Sequence, residues 1–164
     1  MSLLFTNARI LTMDPAGTRH EDGALLCGDD GRITWVGPTA ALPPGTRADR
    51  VVDCRGGILM PGLVNAHTHL AMTLLRGVGG DLPLMAWLET AIFPMEEHLT
   101  PEDCYWGSLL GIAEMLLSGT TTFLDMYTFM DETARAVEMS GIRACLCRGL
   151  TGGDVEEKAA DVRD

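Results

Sequence analysis

The amino-acid sequence predicts an α/β fold in two parts, an all-β lobe over residues 1–60 and a strand–helix region over residues 61–164. In the first part, short β-branched and apolar runs are separated by Gly, Pro and Asp turns, which is typical of a small β-sandwich or open barrel. In the second part, apolar runs alternate with segments of helical periodicity, which indicates parallel strands joined by crossover helices.

The all-β lobe is predicted to contain five short strands, at residues 3–12, 22–27, 33–36, 51–54 and 58–60. Residues 29–32 (Asp-Asp-Gly-Arg) predict a hairpin turn between the second and third strands. Residues 55–57 (Arg-Gly-Gly) predict another hairpin, between the fourth and fifth strands.

The strand–helix region is predicted to hold strands near residues 62–67, 120–126 and 142–150, with helices over residues 83–89, 101–118 and 131–140. Thr100 as N-cap and Asp103 three residues later predict a capping box at the start of the longest helix. Gly119 and Gly141 are expected to end the second and third helices.

Two histidines, His67 and His69, end the first strand of this region, in the run Pro61-Gly-Leu-Val-Asn-Ala-His-Thr-His-Leu70. Side chains alternate faces along a strand, so the two imidazoles are expected to point the same way. This arrangement suits two ligands of one metal ion, although a catalytic zinc commonly takes three protein ligands and a water. The alternative is that the pair only caps the strand. His20 and His98 are interpreted as polar surface residues.

Further motifs accompany the histidine pair: Leu74-Leu-Arg-Gly77, Trp87-Leu88, Phe93-Pro-Met-Glu96, Ser118-Gly-Thr-Thr-Thr122, Asp125-Met-Tyr127 and Arg148-Gly-Leu150. With them, nearly the whole chain resembles the amidohydrolase superfamily, and within it the group of 5′-methylthioadenosine/S-adenosylhomocysteine deaminases. The resemblance implies the TIM-type (β/α)8 barrel of metal-dependent hydrolases, with about its first three βα units in residues 61–164. Such a barrel takes about 250 residues, so the chain is expected to be the N-terminal part of a longer enzyme. Strands from the far C-terminus would complete the β-sandwich lobe.

By this resemblance, the whole enzyme is expected to be a metal-dependent aminohydrolase that deaminates the adenine ring of methylthioadenosine, S-adenosylhomocysteine or a similar nucleoside. A metal-bound hydroxide attacks the ring carbon that carries the amino group, and ammonia leaves. His67 and His69 are expected to hold one divalent ion per subunit, zinc or alternatively iron. The other ligands and the general acid/base are expected beyond residue 164, so no catalytic residue is assigned within this chain.

The resemblance also implies three substrate-binding residues. Glu96 corresponds to a carboxylate that binds the ribose hydroxyls, with a solvated acid as the alternative. Trp87 corresponds to a residue that lines the nucleoside pocket, with a core aromatic as the alternative. Arg148 corresponds to an arginine that meets the polar tail of the substrate, and its guanidinium fork suits a carboxylate such as that of homocysteine. Asp125, at the end of the second strand, is expected to accept a hydrogen bond from a ligating histidine.

Strand alternation puts Arg148 on one face of the third strand with Leu146 and Ala144, and Cys145 and Cys147 on the other. If Arg148 faces the barrel mouth, the two cysteines are expected to pack outward beneath the helices as ordinary buried thiols. A metal site built on the two cysteines is the less favoured alternative.

The charge, apolar runs and cysteines of the chain limit its expected binding partners and location. The formal net charge of −11 disfavours nucleic-acid binding, because phosphate contacts need a basic surface. No apolar run approaches the roughly 18 residues that cross a membrane, and residues 1–6 do not resemble the start of a signal peptide. Five cysteines without a disulfide-framework spacing indicate a reducing compartment. We therefore expect a cytoplasmic enzyme with a small nucleoside substrate, and leave homo-oligomerisation of the whole enzyme open.

Two other functions stay open at this point. One is a different amidohydrolase, similar to guanine deaminases or triazine hydrolases, which would have less need of a diol-binding acid at Glu96. The other is a non-catalytic truncated product, for which 164 residues would be the natural length. The coding sequence beyond residue 164 distinguishes them: further histidines and an aspartate support an enzyme, and a genuine stop codon supports the truncated product.

Overall fold

The computed structural model describes residues 1–149. The chain divides into two compact units, Met1–Pro61 and Gly62–Asp164. The described part of the first is mainly β and that of the second alternates strands and helices, so the α/β class predicted from the sequence is confirmed. No helix within the described part of the chain is long and apolar enough to cross a membrane.

In the first unit, the strands form one mixed sheet with the order β3-β2-β1-β4, and β5 also pairs with β1. They are β1 Leu3–Leu11, β2 Arg19–Cys27, β3 Ile33–Pro38, β4 Arg50–Asp53 and β5 Ile58–Leu59, with a short 3-10 helix at Thr39–Ala41. The β1–β2 and β2–β3 pairs are antiparallel, as the first predicted hairpin requires. The sheet buries Leu4, Ala8, Ile10 and Ala24.

The second predicted hairpin, between β4 and β5, is wrong. β4 pairs in parallel with residues 3–6 of β1, and β5 pairs in parallel with residues 9–10 of the same strand. The turn between them, with φ of +51° at Arg55 and +75° at Gly56, therefore offsets the chain without reversing its direction. The Arg-Gly-Gly signal located the bend, but a turn signal does not specify the partner of the strand that follows.

In the second unit, three parallel strands form a sheet with the order β6-β7-β8. They are β6 Leu63–Thr68, β7 Thr120–Tyr127 and β8 Arg143–Arg148. The long connection after β6 contains a 3-10 helix Leu70–Leu75, α1 Leu84–Trp87, a π-helical turn Leu88–Ile92, α2 Phe93–Glu96 and α3 Pro101–Leu117. Helix α4, Met130–Ser140, connects β7 to β8.

The ends of α3 and α4 follow their sequence signals. Thr100 Oγ1 accepts the Asp103 N–H at 3.2 Å, and the Asp103 carboxylate accepts the Thr100 N–H at 2.9 Å, so the predicted capping box is present. Gly141 ends α4 with a φ of +74°, a conformation that favours glycine. The segment of α1 and α2 has no capping side chain, and its helical path continues to Glu96, beyond the predicted end at residue 89.

The core of the second unit consists of buried residues from the 3-10 helix, α3, β7, α4 and the start of the β8 segment: Leu70, Ile112, Met115, Phe123, Ala136 and Ile142. Ala144 and Leu146 of β8 pack against this core. Cys145 and Cys147 alternate with them and are exposed. The expectation that these cysteines lie beneath the helices is therefore wrong. The alternation was read correctly, but Ala144 and Leu146 occupy the face that packs on the core.

Candidate active site

The carboxyl ends of the parallel strands border a cleft of about 1000 Å³. His69 follows β6, Tyr127 ends β7 and Arg148 ends β8, and all three line this cleft. The connection after β6 adds Trp87 and Glu96 to the lining. Because the carboxyl ends of parallel strands meet at one edge of a sheet, residues far apart in sequence come to one place.

The histidine pair lies beside an irregularity in β6. Pairing with β7 advances three residues on β6, from Asn65 to Thr68, and only two on β7, from Phe123 to Asp125. β6 therefore holds one residue more than β7 in this stretch. Within it, the Asn65 side chain accepts a hydrogen bond from the His67 N–H at 3.2 Å. Bulges of this kind re-aim side chains and are frequent beside active sites. Asn65 thus stabilises the backbone that carries His67.

The rings of His67 and His69 are neighbours, with centroids 5.2 Å apart and planes inclined by 79°. A Zn–N distance of about 2.0–2.1 Å, with the ring centre ~1.1 Å behind the nitrogen, puts two imidazole centres on a tetrahedral zinc about 5 Å apart. The observed ring spacing therefore fits two ligands of one ion.

The orientation of His69 is fixed by the backbone of β7. Its Nδ1 lies 2.7 Å from the carbonyl oxygen of Met126. A carbonyl oxygen only accepts, so Nδ1 carries the proton and Nε2 keeps the lone pair that a metal needs. Ligating histidines usually have such a partner on their second nitrogen. The expected partner was Asp125, and the structure instead shows the carbonyl of the residue after it.

Asp125 is hydrogen-bonded to the backbone of the residue after His69. It is fully buried, and its Oδ1 accepts the Leu70 N–H at 2.8 Å. Its Oδ2 has no hydrogen-bond partner among the described residues. Burial raises the pKa of this carboxyl group, and the hydrogen bond from the Leu70 N–H opposes that rise. A buried oxygen without a donor is costly, so this acceptor fits a nearby cation.

The metal site would be incomplete within residues 1–149, where no three His, Cys, Asp or Glu side chains come together as a metal-binding group. His67 and His69 would thus supply two of the three protein ligands that a catalytic zinc site commonly has.

Glu96, at the end of α2, is in contact with β7 through Tyr127. The Tyr127 hydroxyl donates to Glu96 Oε1 at 2.7 Å, and both side chains are half-buried. Burial and the adjacent Glu96 carboxylate raise the pKa of Tyr127, so the phenol keeps its proton. Sequence reasoning missed this contact. Its one available signal was a polar aromatic residue at the carboxyl end of a strand.

Trp87 is half-buried and has a structural contact in addition to its position in the cleft. Its indole Nε1 donates to the Val78 carbonyl oxygen at 2.7 Å. A Cβ at Gly79 would lie 3.0 Å from Trp87 Cδ1, so the loop that contains Gly79 passes close to the indole ring. Trp87 therefore anchors this loop while it borders the cleft.

Arg148 forms an ion pair inside the cleft lining. Its Nη2 lies 3.1 Å from Oδ1 and 2.8 Å from Oδ2 of Asp131, in the first turn of α4. The Asp131 side chain is 84% exposed. No sequence signal singles out Asp131, because an acid in the first turn of a helix is common for electrostatic reasons alone.

Residues 58–163 match the amidohydrolase family. The chain belongs to this family. The resemblance inferred from the sequence motifs is therefore confirmed, and the matched segment contains every residue of the candidate site described above.

Two curated relatives are similar over nearly the whole chain. A 5-methylthioadenosine/S-adenosylhomocysteine deaminase of Syntrophomonas wolfei is 51% identical over 160 residues, which cover 98% of this chain and 36% of the relative. A 5′-deoxyadenosine deaminase of Methanosarcina mazei is 51% identical over 156 residues, which cover 95% of this chain and 35% of the relative. The chain thus spans about a third of the length of these amidohydrolases.

A solved structure shares the fold. An adenosine deaminase from Xanthomonas campestris with bound zinc matches with a TM-score of 0.81 and 43% sequence identity, over 87% of this chain and 32% of that one.

Proposed function

We propose that the whole protein is a metal-dependent aminohydrolase that deaminates the adenine ring of methylthioadenosine, S-adenosylhomocysteine or a similar 5′-modified nucleoside. The observation that carries the proposal is one cleft lined by His69, Trp87, Glu96 and Arg148, from three separate stretches of the chain. Such a substrate needs a metal near its ring, an acceptor for its sugar hydroxyls and a partner for its 5′ substituent. The names of both curated relatives support the same class.

We infer that β6, β7 and β8 are the first three strands of a (β/α)8 barrel, and that the first unit is part of a β-sandwich completed by other segments of the whole protein. Three features support the barrel: the strands are parallel, they are adjacent in chain order, and helices connect them. The candidate site lies at the carboxyl ends of the strands, where barrel enzymes have their active sites.

His67 and His69 would hold the divalent ion. The ring spacing and the contact of His69 Nδ1 with the Met126 carbonyl oxygen fit a cation at this position. The buried Oδ2 of Asp125, which has no hydrogen-bond partner within residues 1–149, fits positive charge nearby. When bound, the ion supplies an activated water at neutral pH. Imidazole ligands suit zinc and iron alike, and the zinc in the Xanthomonas relative favours zinc. Further ligands and the general acid/base would come from segments outside residues 1–149.

The substrate would be oriented by three side chains. Glu96 accepts hydrogen bonds from the ribose 2′ and 3′ hydroxyls, since a carboxylate has about four acceptor sites and the structure shows Tyr127 at one of them. Trp87 borders the nucleoside with an apolar surface. Arg148 offers positive charge to the 5′ substituent, in competition with its existing partner Asp131.

The test is an activity panel on the metal-loaded whole protein with methylthioadenosine, S-adenosylhomocysteine, 5′-deoxyadenosine, adenosine and guanine. We expect equimolar ammonia release and loss of adenine absorbance with the adenine nucleosides, and no turnover of guanine. Turnover of guanine alone would identify a guanine-deaminase-like enzyme instead. Absence of turnover with every compound would contradict the proposal and support a non-catalytic product.

A further inference from the structure

We propose that Tyr127 is a positioning residue whose hydroxyl fixes the Glu96 carboxylate for the ribose diol, an inference that rests on the proposed function. Tyr127 is the last residue of β7, and Glu96 is the last residue of α2, 31 positions earlier. Their 2.7 Å hydrogen bond joins the end of a central strand to the long connection after β6.

The segment that carries Glu96 has weak local constraints. A π-helical turn interrupts it, and neither α1 nor α2 has a side-chain cap at its N-terminus. A glutamate in such a segment has many accessible rotamers, and fixing it only when substrate arrives lowers affinity. A hydrogen bond from Tyr127, whose strand β7 pairs with both β6 and β8, fixes the carboxylate beforehand.

The geometry leaves the carboxylate able to bind a diol. Tyr127 donates to Oε1, and one such bond leaves acceptor capacity on both oxygens of Glu96 for two hydroxyls. The same phenol ring lies 6.3 Å from the His69 ring, centroid to centroid. Tyr127 therefore contacts the sugar-binding carboxylate and adjoins the proposed metal end of the cleft. It would set the distance between the ribose and the point at which the ring reacts, which is the kind of alignment that accelerates a reaction.

The experiment compares adenosine with 2′,3′-dideoxyadenosine, which differ only in the diol, using the metal-loaded whole protein. Tyr127→Phe removes the hydroxyl and keeps the ring. We expect kcat/KM for adenosine to fall roughly three- to tenfold, the effect of one net hydrogen bond, and kcat/KM for the dideoxy compound to change by less than about twofold. Since the bond acts through Glu96, the double variant Tyr127→Phe/Glu96→Gln should be no worse on adenosine than Glu96→Gln alone.

Equal losses on both nucleosides in Tyr127→Phe, or additive losses in the double variant, would overturn the inference while the proposed function stands. A wild-type protein that deaminates neither of these nucleosides, nor methylthioadenosine or S-adenosylhomocysteine, would overturn the proposed function, and the inference with it. Thermal melts of wild type and variant serve as the folding control. If the phenylalanine variant does not fold, Tyr127→Met takes its place under the same two-substrate criterion.

Discussion

At the scale of single residues, few contacts are needed to orient His69, a proposed metal ligand. Its ring is oriented by one carbonyl, that of Met126, and the next residue, Leu70, is bonded to the buried carboxylate of Asp125. These contacts arise from the register of β6 against β7, so they are available before any metal binds. The histidine pair itself was evident from its spacing, whereas both contacts depend on a bulge that the spacing does not reveal.

We predict that His67→Ala or His69→Ala in the whole protein removes most of the bound metal and nearly all turnover, because each change deletes one of very few ligands. Metal content per subunit after gel filtration is the measurement. Cys145→Ser is the matched control, since Cys145 is exposed on β8, which β7 separates from β6, and its substitution should leave the metal content unchanged. A cysteine variant that lost its metal while the histidine variants kept theirs would contradict the assignment.

Arg148 and Asp131 are predicted to set the preference for the 5′ substituent. Arg148→Ala should lower kcat/KM for S-adenosylhomocysteine by roughly ten- to hundredfold, because its tail carboxylate loses a charge-assisted hydrogen bond, and should affect methylthioadenosine much less. Asp131→Asn should act in the opposite direction, since it removes the carboxylate that now faces Arg148. The gain should be at most about fivefold, because exposed ion pairs are weak.

Steady-state kinetics with the two substrates measures both effects, and methylthioadenosine serves as the internal reference. Equal losses on both substrates in Arg148→Ala would mean that Arg148 shapes the cleft without binding the tail. The deaminase proposal would then stand, and the role assigned to Arg148 would not.

At the scale of secondary-structure elements, the parts that the sequence predicts well are those with local signals. Helix α3 has its own capping box and α4 its own terminal glycine, so no distant contact is needed to place them. The β4–β5 pairing failed because its outcome depends on β1, about 50 residues away. The Tyr127–Glu96 contact was invisible for the same reason, since it depends on where an uncapped helical segment comes to lie.

We predict that Gly107→Ala destabilises the protein, although alanine is normally better than glycine within a helix by up to about 1 kcal/mol. A Cβ at Gly107 would lie 2.7 Å from the Ala71 carbonyl oxygen, a backbone atom of the 3-10 helix that follows His69. Overpacking of this kind costs about 1–3 kcal/mol, so the net change in the free energy of unfolding should be a loss.

Urea denaturation of the whole protein measures the loss in the free energy of unfolding of Gly107→Ala. Turnover should also fall, because the 3-10 helix is displaced. Gly80→Ala is the control, since a Cβ there meets no atom within 4 Å. A Gly107→Ala protein as stable as wild type would show that α3 can move away from the 3-10 helix without cost.

At the scale of the whole molecule, one face of the parallel sheet determines what the chain can do by itself. Val64, Leu124 and Met126 are 66%, 40% and 37% exposed, although the opposite face of the same sheet packs on a core. In a closed barrel such side chains fill the interior in layers. The sequence predicted the three parallel strands that the structure shows. The barrel and the two metal ligands stay predictions, because the groups that would complete them would come from other segments.

We therefore predict that the 164-residue chain, produced alone, binds a hydrophobic dye, melts without a sharp transition and has no deaminase activity. Its exposed apolar sheet face and unpaired strand edges favour association over a single compact state. In this chain, His67 and His69 should bind zinc far more weakly than the whole protein does, because two ligands cannot form the site that three protein ligands form. Calorimetry, dye fluorescence and zinc titration of the chain beside the whole protein make the comparison. A single cooperative melt of the monomeric chain, with zinc bound as tightly as in the whole protein, would show that these residues form a complete folding and metal-binding unit.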